Sequence, residues 1–381
     1  MSLVLNEDQI MLQESARAFC REKAPIALLR KVRDEKTAAG YPRELWQAMV
    51  DLGWAGMAVP ENYGGFDFGY SGLGLVLEEL GRTLAPSPIV STVLLGATLV
   101  NLAGSEAQKS EWLPAIVAGE AQVALALEET ALHNPSHVAL RAERSEHGYR
   151  LNGEKRFVLD AKTADRLIVV ARSNGQPNDE EGISLLLVEA AAPGIEIQSL
   201  SVVDSRSVAN IRFTDVMVPE AALLGAEGGG RAALERTLDI GRIGLAAEML
   251  GGIQEVFERI VDYLKQRTQF GVPIGAFQAL QHRAALMYSE IELCKSLVRQ
   301  ALHELDQGPD GKDIPALASM CKAKLSEVYM LVSNEGVQMH GGIGMTDEFD
   351  IGFFLKRARV AQQLLGDAAW HRDRYATLRG F

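Results

Sequence analysis

The chain has 381 residues, too many for one hydrophobic core, so two or three structural units are expected. Its content of 47% hydrophobic and 23% charged residues is ordinary globular composition and carries no disorder signal. A formal net charge of −12 argues against a nucleic-acid partner, which needs clustered Lys and Arg, while a small anion needs only a local basic pocket.

The first third reads as helical. Asn6 followed by Gln9 has the form of a capping box, with Leu5, Ile10, Leu12 and Phe19 around it. Pro42 suits a first helical turn and Gly53 a helix stop. Ser71–Leu80, Ile89–Leu102 and Glu106–Val117 are further helices, and the glycine-rich stretch Pro60–Gly69 is a loop. Leu84–Ser105 contains no charge and is long enough to span a bilayer. Its prolines, hydroxyls and glycines point instead to a buried helix, so no membrane span is expected.

From Val123 the pattern becomes β-rich. Asn152-Gly153, between Tyr149–Leu151 and Phe157–Leu159, is a hairpin signal. The runs Arg166–Ala171, Ile183–Val188, Ile195–Val203 and Ile211–Val218 follow, separated by polar or Pro/Gly breaks. This domain has no room for crossover helices. The last third is helical again: Leu234, Leu238, Leu245, Met249, Ile253, Phe257, Ile260 and Leu264 form one stripe. Glu235–Lys265 would be a rod of roughly 45 Å, and Ala276–Leu305, Ile314–Met339 and Glu348–Leu365 complete a bundle. The expected fold is therefore mainly α with a central β-domain, a barrel or sandwich. Residues 1–122 form an N-terminal helical domain, 123–225 the β-domain and 226–381 a C-terminal four-helix bundle.

Cys20, Cys294 and Cys321 are scattered and odd in number, with neither metal-ligand spacing nor a disulfide framework, so no metal is expected. Buried thiols in a reducing compartment explain them most simply. The opening Asn6-Glu7-Asp8 is neither a signal nor a transit peptide, and a cytoplasmic location follows as the expectation. The glycines at 225 and 228–230 lack the Lys-Ser/Thr ending of a phosphate loop. Gly341-Gly342-Ile343-Gly344 follows a helix instead of a strand, so it is no Rossmann fingerprint.

Taken together, these pieces become specific. The segment Tyr263–Ile274, with Phe277, Gln278 and Gln281, resembles the signature of the acyl-CoA dehydrogenase family, as does Gln338-Met339-His340-Gly341-Gly342-Ile343-Gly344. Val59–Gly65, Phe213–Pro219 with Leu224-Gly225, and Leu238-Asp239 with Arg242 extend the resemblance over essentially the whole chain. The resemblance implies the same domain order and FAD as cofactor, lying between the β-domain and the bundle and reaching a neighbouring subunit. Arg267, Phe270 and Gln278 would serve FAD in one subunit, and Gln338, Gly341 and Gly342 in the other. A diphosphate needs such a guanidinium, amide donors and close backbone approach. A homo-oligomer follows, either a dimer or the tetramer habitual in the family.

Phe157 stands where the family places a tryptophan beside the flavin, and Leu159-Asp160 replaces the usual Thr-Asn. The Glu128–His137 loop departs from the family pattern for contacts to flavin and CoA. Asp367 matches a threonine that contacts FAD, and Asp239 and Arg242 match substrate-side positions. The family reaction needs a carboxylate to remove an α-proton from the acyl thioester. Its two usual positions are here Leu365 and Gly241, neither of which can take a proton. Glu248, two helical turns beyond Gly241, is the candidate for a relocated base. Three readings stay open: a dehydrogenase passing electrons from acyl-CoA to an electron-transfer flavoprotein, a non-catalytic subunit partnering a homologous one, or a flavin monooxygenase.

Overall fold

The computed structural model describes residues 4–37, 39–308 and 311–381. Helices α1 (Glu7–Lys23), α2 (Ile26–Glu35), α3 (Arg43–Asp51), α4 (Gly69–Thr83), α5 (Thr98–Ala103) and α6 (Glu106–Val117) come first. Strands β1 (Val123–Ala126), β2 (Arg141–Ser145), β3 (Gly148–Leu159), β4 (Arg166–Arg172), β5 (Ile183–Glu189), β6 (Ile195–Leu200), β7 (Val208–Pro219) and β8 (Leu223–Leu224) follow. Then come α7 (Arg231–Gln266), the hairpin β9 (Thr268–Gln269) and β10 (Val272–Pro273), α8 (Gln278–Asp306), α9 (Ile314–His340), α10 (Ile351–Gln363) and α11 (Ala368–Arg379). The chain groups into two compact units. One takes the residues up to Arg30, Tyr70–Ala85 and Arg242–Phe381; the other takes Lys31–Gly69 and Pro86–Gly241.

Capping chemistry sets several of these boundaries. Asn6 Oδ1 accepts from Gln9 N at 2.8 Å and Gln9 Oε1 accepts from Asn6 N at 3.1 Å, the expected capping box. Ser105 and Gln108 repeat it on α6. Gly53, in the left-handed region at φ 80°, stops the chain after α3. The uncharged stretch after Pro88 is a π-helical segment, Ile89–Ala97, continued by α5, and every residue of that segment is buried. Among the described residues no helix is long and apolar enough to cross a membrane.

The β-domain runs as β6-β7-β3-β2-β4-β5-β8, with β1 paired parallel to β4. Its two halves meet through β2 and β4 at a single residue pair, Arg141 with Arg172. They share one core that includes Tyr149, Leu151, Leu167, Val169, Leu186 and Phe213. Burial follows position. β1 is wholly buried, which explains why its sequence does not alternate, whereas β6 at the edge is wholly intermediate or exposed. The hairpin expected at Asn152-Gly153 is not there. Both residues lie inside β3, and the turn falls earlier, where β2 meets β3 between Ser145 and Gly148. Gly153, at φ 144°, marks a register shift against β7, and the Asn152 side chain bridges to Asp215 across the strands. A turn dipeptide has been used as a bulge.

In the helical unit, α9 lies against α8, α10 and α11. α4 crosses α7 at two glycines: a Cβ on Gly81 would penetrate the backbone of Glu248, and one on Gly251 the backbone of Glu78. The expected four long helices are present as α7–α10. The last is shorter than read, ending at Gln363, and α11 is an addition.

Candidate functional site

The β9–β10 hairpin turns on Phe270-Gly271, both with positive φ (55° and 79°). Such a two-residue turn suits the twist of a hairpin, and an aromatic in its first position is uncommon. The result is a ring 92% exposed, packed edge-on against Phe277 with centroids 6.1 Å apart. Arg267 and Gln278, at the two ends of this excursion, are exposed. Gln338 is exposed on the last turn of α9. Gly341 takes φ 63°, and a Cβ on Gly341 or Gly342 would meet nothing within 4 Å. The backbone of this turn is therefore open to close approach by a ligand.

The two segments spring from adjoining helix ends. The Tyr263 ring on α7 lies 4.4 Å from the His340 ring on α9, and Phe349 lies 4.8 Å from His340. His340 Nδ1 is 2.6 Å from the Gly336 carbonyl, which can only accept, so this nitrogen carries the proton. Burial lowers the basicity of the imidazole. Sequence reasoning missed this stack: Tyr263 and His340 stand within the two motifs, but nothing along the chain shows that they meet, and Phe349 lies outside both.

In the β-domain unit, Phe157 has φ 50° and is 46% exposed, at a register shift between Lys155 and Val158. Three residues on, Asp160 takes φ 52°, and its carboxylate accepts from Ser91 Oγ at 2.5 Å. Two left-handed non-glycine residues at the end of one strand are the kind of local strain that folds retain at working sites. Burial pushes the Asp160 carboxyl up to about 6, opposed by Ser91 and Arg206.

The loop after β1 is built on Glu129. Its carboxylate accepts from the amides of Ala139 and Leu140 and from the fully buried Lys155 Nζ at 2.6 Å. Lys155 also donates to the Leu127 carbonyl, and burial draws its pKa down against the pull of Glu129. Glu128 pairs with His133. The loop that departs from the family pattern thus carries its own polar framework. Sequence reasoning missed Lys155, because hydropathy patterns give a buried lysine no signal.

Leu365 is 6% exposed and takes φ 60°. Its carbonyl accepts from His371 Nε2 at 3.0 Å and faces Arg242 Nε at 3.4 Å. The fully buried Lys322 donates to the carbonyls of Ala361, Gln362 and Gly366 at 2.8, 3.1 and 2.8 Å, closing the end of α10. Burial brings Lys322 down to about 7, with Arg242 acting in the same direction and Asp367 opposing. The turn at the usual base position is thus firmly built and carries an aliphatic side chain. Gly241 supplies no side chain at the alternative position. Glu248 is committed to Arg357 by a buried ion pair of 3.0 Å.

Asp367 caps α11, accepting from Trp370 N at 2.8 Å. Asp239 and Arg242 are both buried on α7, with the Arg242 guanidinium 4.9 Å from the Trp370 ring. Arg242 therefore serves the Leu365 turn.

The likeness to known proteins runs along nearly the whole chain. The N-terminal, middle and C-terminal domain profiles of acyl-CoA dehydrogenase match residues 6–120, 125–216 and 228–377. An acyl-CoA dehydrogenase of Bacillus subtilis is 32% identical over 368 residues, covering 94% of each chain. The butyryl-CoA dehydrogenase structure from Megasphaera elsdenii superposes over 100% of both chains with a TM-score of 0.90 at 29% identity. PigA, solved in complex with FAD and proline, superposes with a TM-score of 0.91 over 100% of this chain and 99% of its own, at 26% identity. Matched in all three of its domains and over its whole length, this chain belongs to the acyl-CoA dehydrogenase family of oxidoreductases.

Proposed function

We propose that the chain binds FAD and serves in the α,β-dehydrogenation of an acyl-CoA thioester. The observation that carries the reading is the open backbone at Gly341-Gly342 beside exposed Gln338, on helix ends shared with the segment of exposed Arg267, Phe270 and Gln278. These residues fit a dinucleotide: a guanidinium and carboxamides for the diphosphate, and glycines where a side chain would obstruct it. Arg267, Phe270 and Gln278 would hold one FAD, and Gln338, Gly341 and Gly342 that of a second copy. Phe157 offers a ring for the isoalloxazine. Bound FAD would supply the acceptor for the β-hydride, its electrons then leaving to an electron-transfer flavoprotein. Asp239 and Arg242 would act from α7, Arg242 by fixing the Leu365 carbonyl. The exposed Leu286 and Leu293 on α8, with Phe270 and Phe277, support self-association.

A second reading rests on the base positions. Leu365 and Gly241 cannot accept a proton, and Glu248 is held by Arg357, which supports a subunit that carries FAD beside a catalytic homologue. One experiment separates the two. The purified, FAD-loaded protein is mixed anaerobically with acyl-CoAs of graded chain length and branching. Bleaching of the flavin band supports turnover by this chain alone. Bleaching that appears only in Leu365→Glu, or on adding a homologous subunit, supports the second reading. A protein that never retains FAD overturns both.

A further inference from the structure

Lys155 and Arg172 of the β-domain are wholly buried, and both hold the loop of residues 127–140 that joins β1 to β2. Arg172 takes its far end, donating from Nε to the Val138 carbonyl at 3.1 Å. The other guanidinium nitrogens donate to the carbonyls of Pro177, Asp179 and Glu181. Backbone bonds from Val138 N to Pro177 O and from Arg172 N to Leu140 O fasten the same end.

Lys155 ties the two ends together. Its Nζ donates to the Leu127 carbonyl at 3.0 Å and to Glu129 at 2.6 Å, and Glu129 in turn accepts from the amides of Ala139 and Leu140 at 2.7 and 3.1 Å. The next residue of β3 repeats the connection, Arg156 N donating to Glu128 O at 2.7 Å. Phe157 follows, its ring 46% exposed on a left-handed backbone. Over three consecutive residues β3 therefore grips the loop twice and then presents the ring. The Glu128 side chain turns back into the loop, pairing with His133 and accepting from Asn134 N at 3.3 Å. A buried ion pair often adds no net stability over apolar residues of the same volume, so what Lys155 and Glu129 supply is the geometry they fix.

We infer that Lys155 is a positioning residue of the flavin site: through Leu127 and Glu129 it sets the loop beside Phe157, so that loop and ring meet FAD as one preformed surface. The inference rests on the proposal that Phe157 meets the isoalloxazine. A loop ordered in advance spares FAD the entropy of ordering it, and that saving appears as affinity.

The test sets FAD affinity against stability in three variants of the FAD-loaded protein. Affinity is read by equilibrium dialysis against graded FAD, stability by the urea midpoint at saturating FAD, and loop order by hydrogen exchange at Ala139 and Leu140. Lys155→Met strands a buried carboxylate and should lose both stability and affinity. Glu129→Gln keeps the shape of the side chain and one acceptor for the two amides, and its FAD Kd should rise about 10-fold. The double variant Glu129→Gln/Lys155→Met leaves no buried charge unpaired, so its midpoint should return most of the way to the parent's. Its FAD Kd should nevertheless stay raised by about 10-fold or more, with fast exchange at Ala139 and Leu140. Leu186→Ala, a cavity in the core of the same domain, should lower the midpoint and leave the FAD Kd within about 2-fold of the parent. Affinity that recovers together with stability in the double variant would make the pair merely structural and overturn the inference, leaving the flavin reading intact. A parent protein that binds no FAD would overturn both.

Discussion

Glu248 and Arg357 form an ion pair of 3.0 Å in which both side chains are less than a tenth exposed. An uncompensated buried charge is costly, so removing one partner should destabilise the fold by about 3–5 kcal/mol. Glu248→Ala is therefore expected to lower the urea midpoint sharply. The double variant Glu248→Leu/Arg357→Met should recover much of that loss. If Glu248→Ala were as stable as the parent yet unable to reduce its flavin, Glu248 would be a base after all.

Lys322 saturates three carbonyls at the end of α10 with one ammonium group. Lys322→Met keeps the volume but strands those acceptors. A loss of about 2–4 kcal/mol follows, at the cost of a buried unsatisfied group for each unreplaced bond. Hydrogen exchange should localise the change to residues 361–367. Uniform protection across that turn in the variant would contradict the assignment.

Asp160 gives the chain a pH dependence with a defined sign. Its folded pKa, about 6, lies above the ordinary 3.8, so the fold favours the protonated form. That contribution is complete below pH 3.8 and is lost as pH rises through 6. Asp160→Asn should be more stable than the parent at pH 8, by at most about 3 kcal/mol at 1.36 kcal/mol per unit, and the gap should close towards pH 4. Denaturation midpoints measured from pH 4 to 8 check this, and a constant gap would sink it.

Glycines should divide into two classes. Gly81→Ala and Gly251→Ala push a Cβ into a facing helix backbone, and each should cost more than about 3 kcal/mol. Gly342→Ala meets nothing and should leave the thermal midpoint of the FAD-free protein within about 0.5 kcal/mol of the parent. Its retention of FAD should nevertheless fall, which equilibrium dialysis would read. Full FAD retention would remove Gly342 from the site.

Much of this architecture is legible in the sequence, because amphipathic helices and their caps are local. The stripe from Leu234 to Leu264 and the Asn6–Gln9 box both appear as read. α11 was not legible: its only fully buried residue is His371, so it has no apolar stripe to find. Asn152-Gly153 misled because a turn dipeptide also suits a bulge, and only pairing with β7 distinguishes them. Arg267, Gln338 and the glycines were identified by motif. Lys155, Lys322 and Arg82 were not, since a charge buried among distant partners has no periodicity along the chain.

The ion pairs of α4 bear on the order in which the protein can be made. Glu79 can find Arg17 early, but Arg82 depends on Gln254, Glu255 and Glu258, and Glu78 on Gln254, some 176 residues further along the chain. Until α7 has been synthesised, α4 carries charges destined for burial, and its Gly81 has no helix against it. The helical unit therefore closes only late, through contacts of high sequence separation, the kind that slow folding and lengthen exposure to aggregation. A nascent chain stalled before residue 258 should hold a β-rich unit beside an open helical one, and chaperones would find that half of the molecule first.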